Sequence, residues 1–199
     1  MGKWLGLGLV ALLVLLGLGA ASSYNSLVRL DQAVSAQWGQ VENVYQRRLD
    51  LVPNLVETVK GAARFEQQTL TQVTEARAKA SQVTTTAGKD ILEDPAAFQQ
   101  FQQAQQNLSG ALSRLLVTVE RYPELRATGN FRELQAQLEG TENRIAVERM
   151  RFNEAAREFN TLRNSFPTNL FAGFFGGRFA ERPYFQAEQG AKTAPRVQF

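Results

Sequence analysis

Two charged residues occupy positions where the helical pattern of the sequence places apolar side chains. Arg48 continues a row of apolar residues at seven-residue steps, and Glu148 continues a second, largely apolar row further along the chain. By helical rise, both residues lie near the middle of their helices. We hypothesise an interior ion pair of Arg48 with Glu148, with Arg47 and Glu142 as alternates. Such a pair sets helix register more than it adds stability, because desolvation offsets the attraction. The alternative is that both rows drift and the charges reach solvent.

Paired carboxylates are the other groups whose spacing permits acid/base or metal chemistry. Glu139 and Glu142 share one helix face, and Glu154 and Glu158 share another. No His accompanies either pair, and neither is matched by a second pair of the kind that metal sites in helical bundles require. Charges of alternating sign around Glu154 indicate a solvated face instead. The sequence therefore predicts neither a metal site nor a cofactor.

The composition argues against an enzyme. The chain of 199 residues contains no Cys and no His. This removes thiol nucleophiles, the usual zinc ligands and the side chain whose unperturbed pKa lies near neutrality. Its 22 basic and 19 acidic residues are scattered and sum to a formal charge of only +3, so no nucleic-acid partner is expected. The absence of Cys also fits an extracytoplasmic compartment.

The elements that position these charges are helices. From Leu27 to Val59, apolar residues recur at steps of three and four, which predicts one helix of about ten turns. Pro53 interrupts this pattern, since it lacks a backbone donor. One reading is a kinked but continuous helix, which we favour because the apolar row continues in phase. The other is a break at Asp50, which would cap a new helix.

Two further helices follow. The second is predicted from 62 to about 86, and the polar segment 84–90 is predicted to be a loop. The third begins at Asp94, whose carboxylate caps the helix, with Pro95 at the first helical position. Pro123 is predicted to end it.

The fourth helix is predicted to begin at Asn130, with Glu133 three residues on in a variant of the capping box. Large apolar residues then occur at every seventh position, which is typical of coiled-coil-like packing against other helices. The fold class is therefore all-α: an up-down-up-down four-helix bundle over 24–166. The seven-residue row consists of Phe131, Leu138, Ile145, Phe152, Phe159 and Phe166.

An apolar stretch precedes the bundle. Trp4 to Ala21 contains 18 uncharged residues, long enough for a transmembrane helix. The alternative is a cleaved signal peptide, because 19–22 offers small residues at a possible cleavage site. We favour a retained anchor over 1–23, since the run is longer than the usual signal core. With Lys3 before it and Arg29 first after it, the charges favour a single-pass inner-membrane protein with an extracytoplasmic bundle.

The segment 167–199 is rich in Gly and aromatic residues and is predicted to form an irregular tail. The lengths of the four helices return the chain to the bilayer, so this tail could lie in the membrane interface. The alternative is that its aromatic side chains cover the open end of the bundle. The candidate interface residues are Phe171, Phe174, Phe175, Arg178 and Phe179.

The last residues suggest a second binding mode. The chain ends on Phe199, with Val197 two residues earlier. A free carboxylate preceded by alternating apolar residues is what a PDZ groove binds, and envelope proteases carry such grooves. The alternative is a disordered tail.

Several stretches, taken together, resemble the LemA family along nearly the whole chain. The resemblance implies a bacterial, membrane-anchored helical bundle, with no catalytic activity, cofactor or agreed active-site residues. A relative that forms magnetosomes and is needed for membrane invagination points to membrane organisation. The matching stretches are 24–28, 47–56, 59–61, 75–77, 138–145, 166–170, 184–185 and 190–191.

We therefore expect a non-enzymatic, single-pass envelope protein that acts as a helical scaffold or interaction module in membrane organisation. Its expected partners are the lipid bilayer, further copies of itself, and another membrane or envelope protein. The alternative is an adaptor or regulatory partner of a membrane protease or another membrane complex.

Overall fold

The computed structural model describes residues 2–61, 66–87, 89–174 and 176–186. Within these ranges the chain is helical and contains no strand, so the predicted all-α class is confirmed. Two short 3-10 turns cover Lys89–Leu92 and Gly176–Phe179. The α-helices are α1 Gly2–Lys60, α2 Gln67–Ala87, α3 Pro95–Val119, α4 Pro123–Arg126, α5 Gly129–Asn164 and α6 Thr168–Phe174.

The apolar N-terminal stretch and the first core helix form one helix, α1, of 59 residues. Between Trp4 and Leu18 the large apolar side chains that the structure describes are 50–79% exposed. The mean hydropathy of its most apolar 18-residue window is 2.1. A long apolar stretch that packs on little else in the protein is consistent with a membrane anchor. α1 also continues through Pro53, so the favoured continuous helix is confirmed and the alternative of a break at Asp50 is wrong.

The start of α3 agrees with the sequence. The carboxylate of Asp94 accepts a hydrogen bond of 2.8 Å from the N–H of Ala96, and Pro95 occupies the first turn. The helix ends at Val119, not at Pro123, which instead begins α4. This is the place where proline is best tolerated, since the first N–H groups of a helix have no partner within it.

Two other predicted boundaries are wrong. α2 continues to Ala87 through the predicted loop, and the hydroxyls of Thr84 and Thr85 donate to carbonyls four residues earlier. These bonds satisfy the threonine side chains within the helix. α5 begins after Thr128, whose hydroxyl accepts from the N–H of Phe131 at 3.4 Å. Thr128 therefore caps the helix in place of Asn130, because it lies where the backbone is still extended.

α1 lies against α5 and α2, and α2 lies against α3. The α1 and α5 helices are antiparallel, because Gln37 contacts Glu148 whereas Arg48, later in α1, contacts Glu142, earlier in α5. Arg48 therefore lies in the interior of the protein, at the height of Glu142 along the α1–α5 helix pair.

The interior divides into two apolar clusters. The aromatic cluster surrounds Trp38, whose ring centroid lies 5.3–6.2 Å from those of four phenylalanines. The aliphatic cluster lies further along α1, from Leu49 to Val59. The predicted apolar face of α1 is accordingly buried along its length. The four phenylalanines around Trp38 are Phe98, Phe101, Phe152 and Phe185.

Candidate functional site

A polar layer separates the two apolar clusters, and Arg48 lies at its centre with only 1% of its surface exposed. Its Nη1 donates to the carboxylate of Glu142 at 2.8 Å and to the hydroxyl of Ser109 at 2.7 Å. Its Nη2 donates to the side-chain and backbone oxygens of Gln105. The guanidinium carbon also lies 5.0 Å from the centroid of the Tyr45 ring. The buried charge is therefore paired and almost fully hydrogen-bonded.

Gln105 extends this layer to a fourth helix. Its amide nitrogen lies 3.4 Å from the hydroxyl of Thr84 on α2. Side chains from α1, α2, α3 and α5 therefore meet at one level. A cavity of about 20 Å³ adjoins Arg48, which is room for about one water molecule. Nε of Arg48 has no hydrogen-bond partner among the described residues.

The hypothesised partner of Arg48 requires correction. Glu148 does not reach Arg48; its carboxylate accepts from Gln37 at 2.6 Å and pairs with Arg151 at 3.0 Å. Glu142, one of the two alternates, is the partner, and Arg47 is exposed. Six residues separate Glu142 from Glu148, about 9 Å along the helix axis. The sequence-based positions rested on helical rise counted from approximate helix ends, which is too imprecise to distinguish Glu142 from Glu148.

The polar layer suits a structural role. A guanidinium group offers only hydrogen-bond donors, so Arg48 presents no atom that could serve as a base or a nucleophile. Within the described ranges, no three acidic side chains come together in a way that could hold a metal ion. The arrangement fixes the relative register of four helices through charge-assisted hydrogen bonds.

A second buried arginine connects the tail to the helices. Arg182 forms an ion pair of 2.7 Å with Asp31 on α1, and Glu93 lies 3.6 Å from its other terminal nitrogen. Its guanidinium carbon lies 5.2 Å from the centroid of the Phe159 ring on α5. The role of Arg182 could not be predicted from the sequence, since one arginine in an irregular segment carries no periodic signal.

Two asparagines on α5 hold the extended segment 180–186. The side-chain amide of Asn160 accepts from the N–H of Arg182 at 2.8 Å and donates to its carbonyl at 2.9 Å. Asn153 makes the same pair of bonds with Phe185, at 2.8 and 3.0 Å. Neither asparagine was predicted from the sequence to have this role. The sequence does contain one indication of this role. Two asparagines occur seven residues apart within one predicted helix, although Asn is a poor helix former.

The structure separates the predicted interface residues. Phe179 is buried, with its ring centroid 5.7 Å from that of Tyr24 and 6.4 Å from that of Phe159. Its prediction as an interface residue is therefore wrong, because apolar contact with the core already covers it. Phe171 is half-buried and lies 4.0 Å from where a β-carbon on Gly19 would be.

Arg178, by contrast, is exposed and donates a hydrogen bond of 2.7 Å to the hydroxyl of Tyr24. The side chain of Phe174 is not among those described. Phe175, Val197 and Phe199 lie outside the described residues. The interface role of Phe171, Phe174, Phe175 and Arg178, and the recognition of the C-terminus, stay predictions.

The chain matches the model of the LemA family over residues 37–199. It is similar to magnetosome proteins MamQ 1 and MamQ 2 of Paramagnetospirillum magneticum (strain ATCC 700264 / AMB-1), each 26% identical, over 85% of this chain and 67% of the relative. Magnetosome protein MamQ of Magnetospirillum gryphiswaldense is 25% identical with the same coverage. Since the family model covers most of the sequence, the chain belongs to the LemA family.

Proposed function

We propose that this protein is a non-enzymatic, membrane-anchored helical scaffold that organises membranes by binding copies of itself or another envelope protein. The observation that carries the proposal is the continuity of α1, which leads from an exposed apolar stretch into the core without a linker. The orientation of a domain joined to its anchor by one helix is set by the orientation of that anchor in the bilayer. Copies of a domain held in this way can assemble in a regular array more readily than copies that move freely on a flexible linker.

The proposed architecture is an up-down-up-down bundle of α1, α2, α3 and α5 over residues 24–166, with α5 returning to the bilayer. The antiparallel contact of α1 with α5 supports it, as does the layer in which Arg48 bonds to α3 and α5. On this model the bundle lies on the extracytoplasmic side of the inner membrane, in keeping with Lys3 before the anchor and Arg29 after it.

The relatives support a role at a membrane. The similar proteins are named as magnetosome proteins, and the similarity covers most of this chain. The polar layer around Arg48 supports a structural role for the interior, since its groups pair with one another and leave a cavity of only about 20 Å³.

Measuring the mass of the full-length protein, purified in mild detergent, tests the proposal. A homomeric particle of several copies is the expected result. A monomer carrying a stoichiometric second protein would instead support an adaptor of a membrane complex. Catalytic turnover by the purified protein alone would contradict both roles.

A further inference from the structure

Two large apolar side chains are exposed where α5 ends and α6 begins. Phe166 is 79% exposed and Leu170 is 56% exposed. Phe166 lies in the turn between the two helices, and Leu170 lies four residues later in the first turn of α6. Phe171, which follows Leu170, is half-buried. We call Phe166, Leu170 and Phe171 the apolar tip. Large apolar groups gathered at one exposed turn mark a contact surface.

The apolar tip lies beside α1 at the end of the apolar stretch. Phe171 approaches Gly19 to 4.0 Å at the β-carbon position, and α6 contacts α1. Gly19 is two residues before Ala21, where the apolar run ends. A helix of 18 residues spans about 27 Å, close to the thickness of the hydrocarbon core. When the stretch spans a bilayer, the apolar tip therefore lies at the depth of the membrane surface.

A positive charge lies further along α1, at Tyr24, five residues after Gly19. The guanidinium carbon of Arg178 lies 5.4 Å from the centroid of the Tyr24 ring, and its Nη1 donates to the Tyr24 hydroxyl. In the part of the chain that the structure describes, no carboxylate pairs with Arg178. The neighbouring Arg163, in contrast, lies 3.8 Å from Glu181. Apolar side chains next to an unpaired arginine and a tyrosine are typical of segments in the membrane interface.

We propose that the apolar tip inserts into the edge of the bilayer beside α1, and that Arg178 binds the phosphate of an anionic lipid. The inference rests on the proposed anchoring by α1 and adds a second membrane contact from the far end of the chain. In this proposal the inserted residues include Phe166 and Leu170. Phe179, which the sequence predicted to be inserted, is buried and is not among them. Two contacts from opposite ends of the fold hold the domain against the bilayer.

Site-specific fluorescence on the full-length protein tests the insertion. Because the chain has no native Cys, single substitutions Leu170→Cys, Leu13→Cys and Val117→Cys can each carry a nitrobenzoxadiazole probe. Leu13 lies in the apolar stretch, and Val117 is an equally exposed residue near the far end of α3. The labelled proteins are reconstituted in phosphatidylcholine and phosphatidylglycerol vesicles. For position 13 these contain lipid with a nitroxide near the end of the acyl chain, for position 170 lipid with a nitroxide near the acyl carbonyl, and for position 117 each lipid in turn.

Strong nitroxide quenching at positions 13 and 170, with none at 117, is the expected result. Quenching at 13 but not at 170 overturns the insertion while leaving the anchor intact. If neither position is quenched, α1 does not enter the bilayer, and both the anchoring and the insertion are wrong. The two failures are therefore distinguishable.

The lipid phosphate is tested in the Leu170→Cys protein by adding Arg178→Gln. A basic residue is attracted to an anionic membrane surface, and we expect Arg178→Gln to lower quenching about twofold when phosphatidylglycerol is present. Pure phosphatidylcholine should show no difference, and Arg178→Lys should retain most of the effect. The matched control is Arg121→Gln, which also removes an exposed charge, next to α4. Equal effects of Arg178→Gln and Arg121→Gln would overturn the assignment of Arg178.

Discussion

Nε of Arg77 on α2 donates a hydrogen bond of 2.8 Å to the backbone carbonyl of Leu49 on α1. This carbonyl lies four residues before Pro53, which has no N–H to offer it. The guanidinium takes the place of the missing donor, and α1 continues through the proline. The residue that would ordinarily weaken α1 therefore provides the site at which α2 attaches.

This relationship predicts energetic coupling between Arg77 and Pro53. Arg77→Met should lower the free energy of unfolding by about 1–3 kcal/mol, because it leaves a carbonyl without a partner. In a Pro53→Ala background the loss should be about 1 kcal/mol smaller, since alanine supplies the N–H. Urea unfolding, followed by circular dichroism, measures the free energies of this double-mutant cycle. Lys79→Met, an exposed change on the same helix, is the control, and strictly additive effects would contradict the coupling.

The polar layer predicts an asymmetry between its two charged partners. Glu142→Gln leaves the buried Arg48 without its carboxylate and should cost about 1–2 kcal/mol of unfolding free energy. Arg48→Met should cost less, because the remaining carboxylate is 42% exposed and can be hydrated. Thermal melts of the full-length protein in detergent compare the two.

Two other glutamates on α5 serve as controls for this comparison. Glu139→Gln removes an exposed carboxylate and should change stability by no more than about 0.5 kcal/mol. Glu148→Gln should also be mild, since its partner Arg151 is exposed. A larger loss from Glu148→Gln than from Glu142→Gln would show that Glu148 is the partner of Arg48 after all.

The spacing of the two asparagines matches the spacing of the backbone that they hold. Asn153 and Asn160 lie seven residues apart on α5, about 10.5 Å along a helix. Arg182 and Phe185 lie three residues apart in an extended segment, about 10 Å. A helix and an extended chain can therefore run side by side for this distance with both side-chain amides in register.

Asn160→Ala should release the segment 180–186. The change leaves the buried N–H and carbonyl of Arg182 unpaired, at a cost of about 2–3 kcal/mol. Hydrogen exchange should accelerate at the amide of residue 182 before it does in the middle of α5. Asn143→Ala, at an exposed position of the same helix, is the control and should leave exchange unchanged. Unaltered protection of residue 182 in Asn160→Ala would refute the role of the asparagine.

The proposed orientation predicts which side of the membrane the domain occupies. Val117→Cys, on the exposed surface of α3, should react with a membrane-impermeant maleimide in intact cells. Lys3→Cys, before the apolar stretch, should react only after the cells are lysed. The opposite pattern would place the domain in the cytoplasm.

Much of the helical fold could be predicted from local chemistry. The Asp94-Pro95 pair correctly placed the start of α3, and the apolar row correctly predicted that α1 passes Pro53. The same row placed Arg48 in the interior. Its partner could not be predicted, because antiparallel register depends on how α1 and α5 pack, and an error of six residues exchanges Glu142 for Glu148.

The tail could not be predicted for a different reason. Its segment 180–186 is extended and held by side chains of α5, so it has neither helical nor strand periodicity. Three stretches that carry the family resemblance do meet in the fold. Through Arg48 and Leu49, the stretch 47–56 bonds both to 138–145 and to 75–77. Their packing depends on side-chain contacts between stretches that are distant in the sequence.

The continuity of α1 has a mechanical consequence. At 1.5 Å per residue its 59 residues extend about 88 Å, and roughly 58 Å of this lies beyond the apolar stretch. A transmembrane helix tilts when the bilayer is thinner than its apolar length. Because α1 is one continuous helix, a tilt of about 10° would move its far end, near Lys60, sideways by roughly 10 Å. The surface that the protein presents to its neighbours would then shift with the local thickness of the membrane.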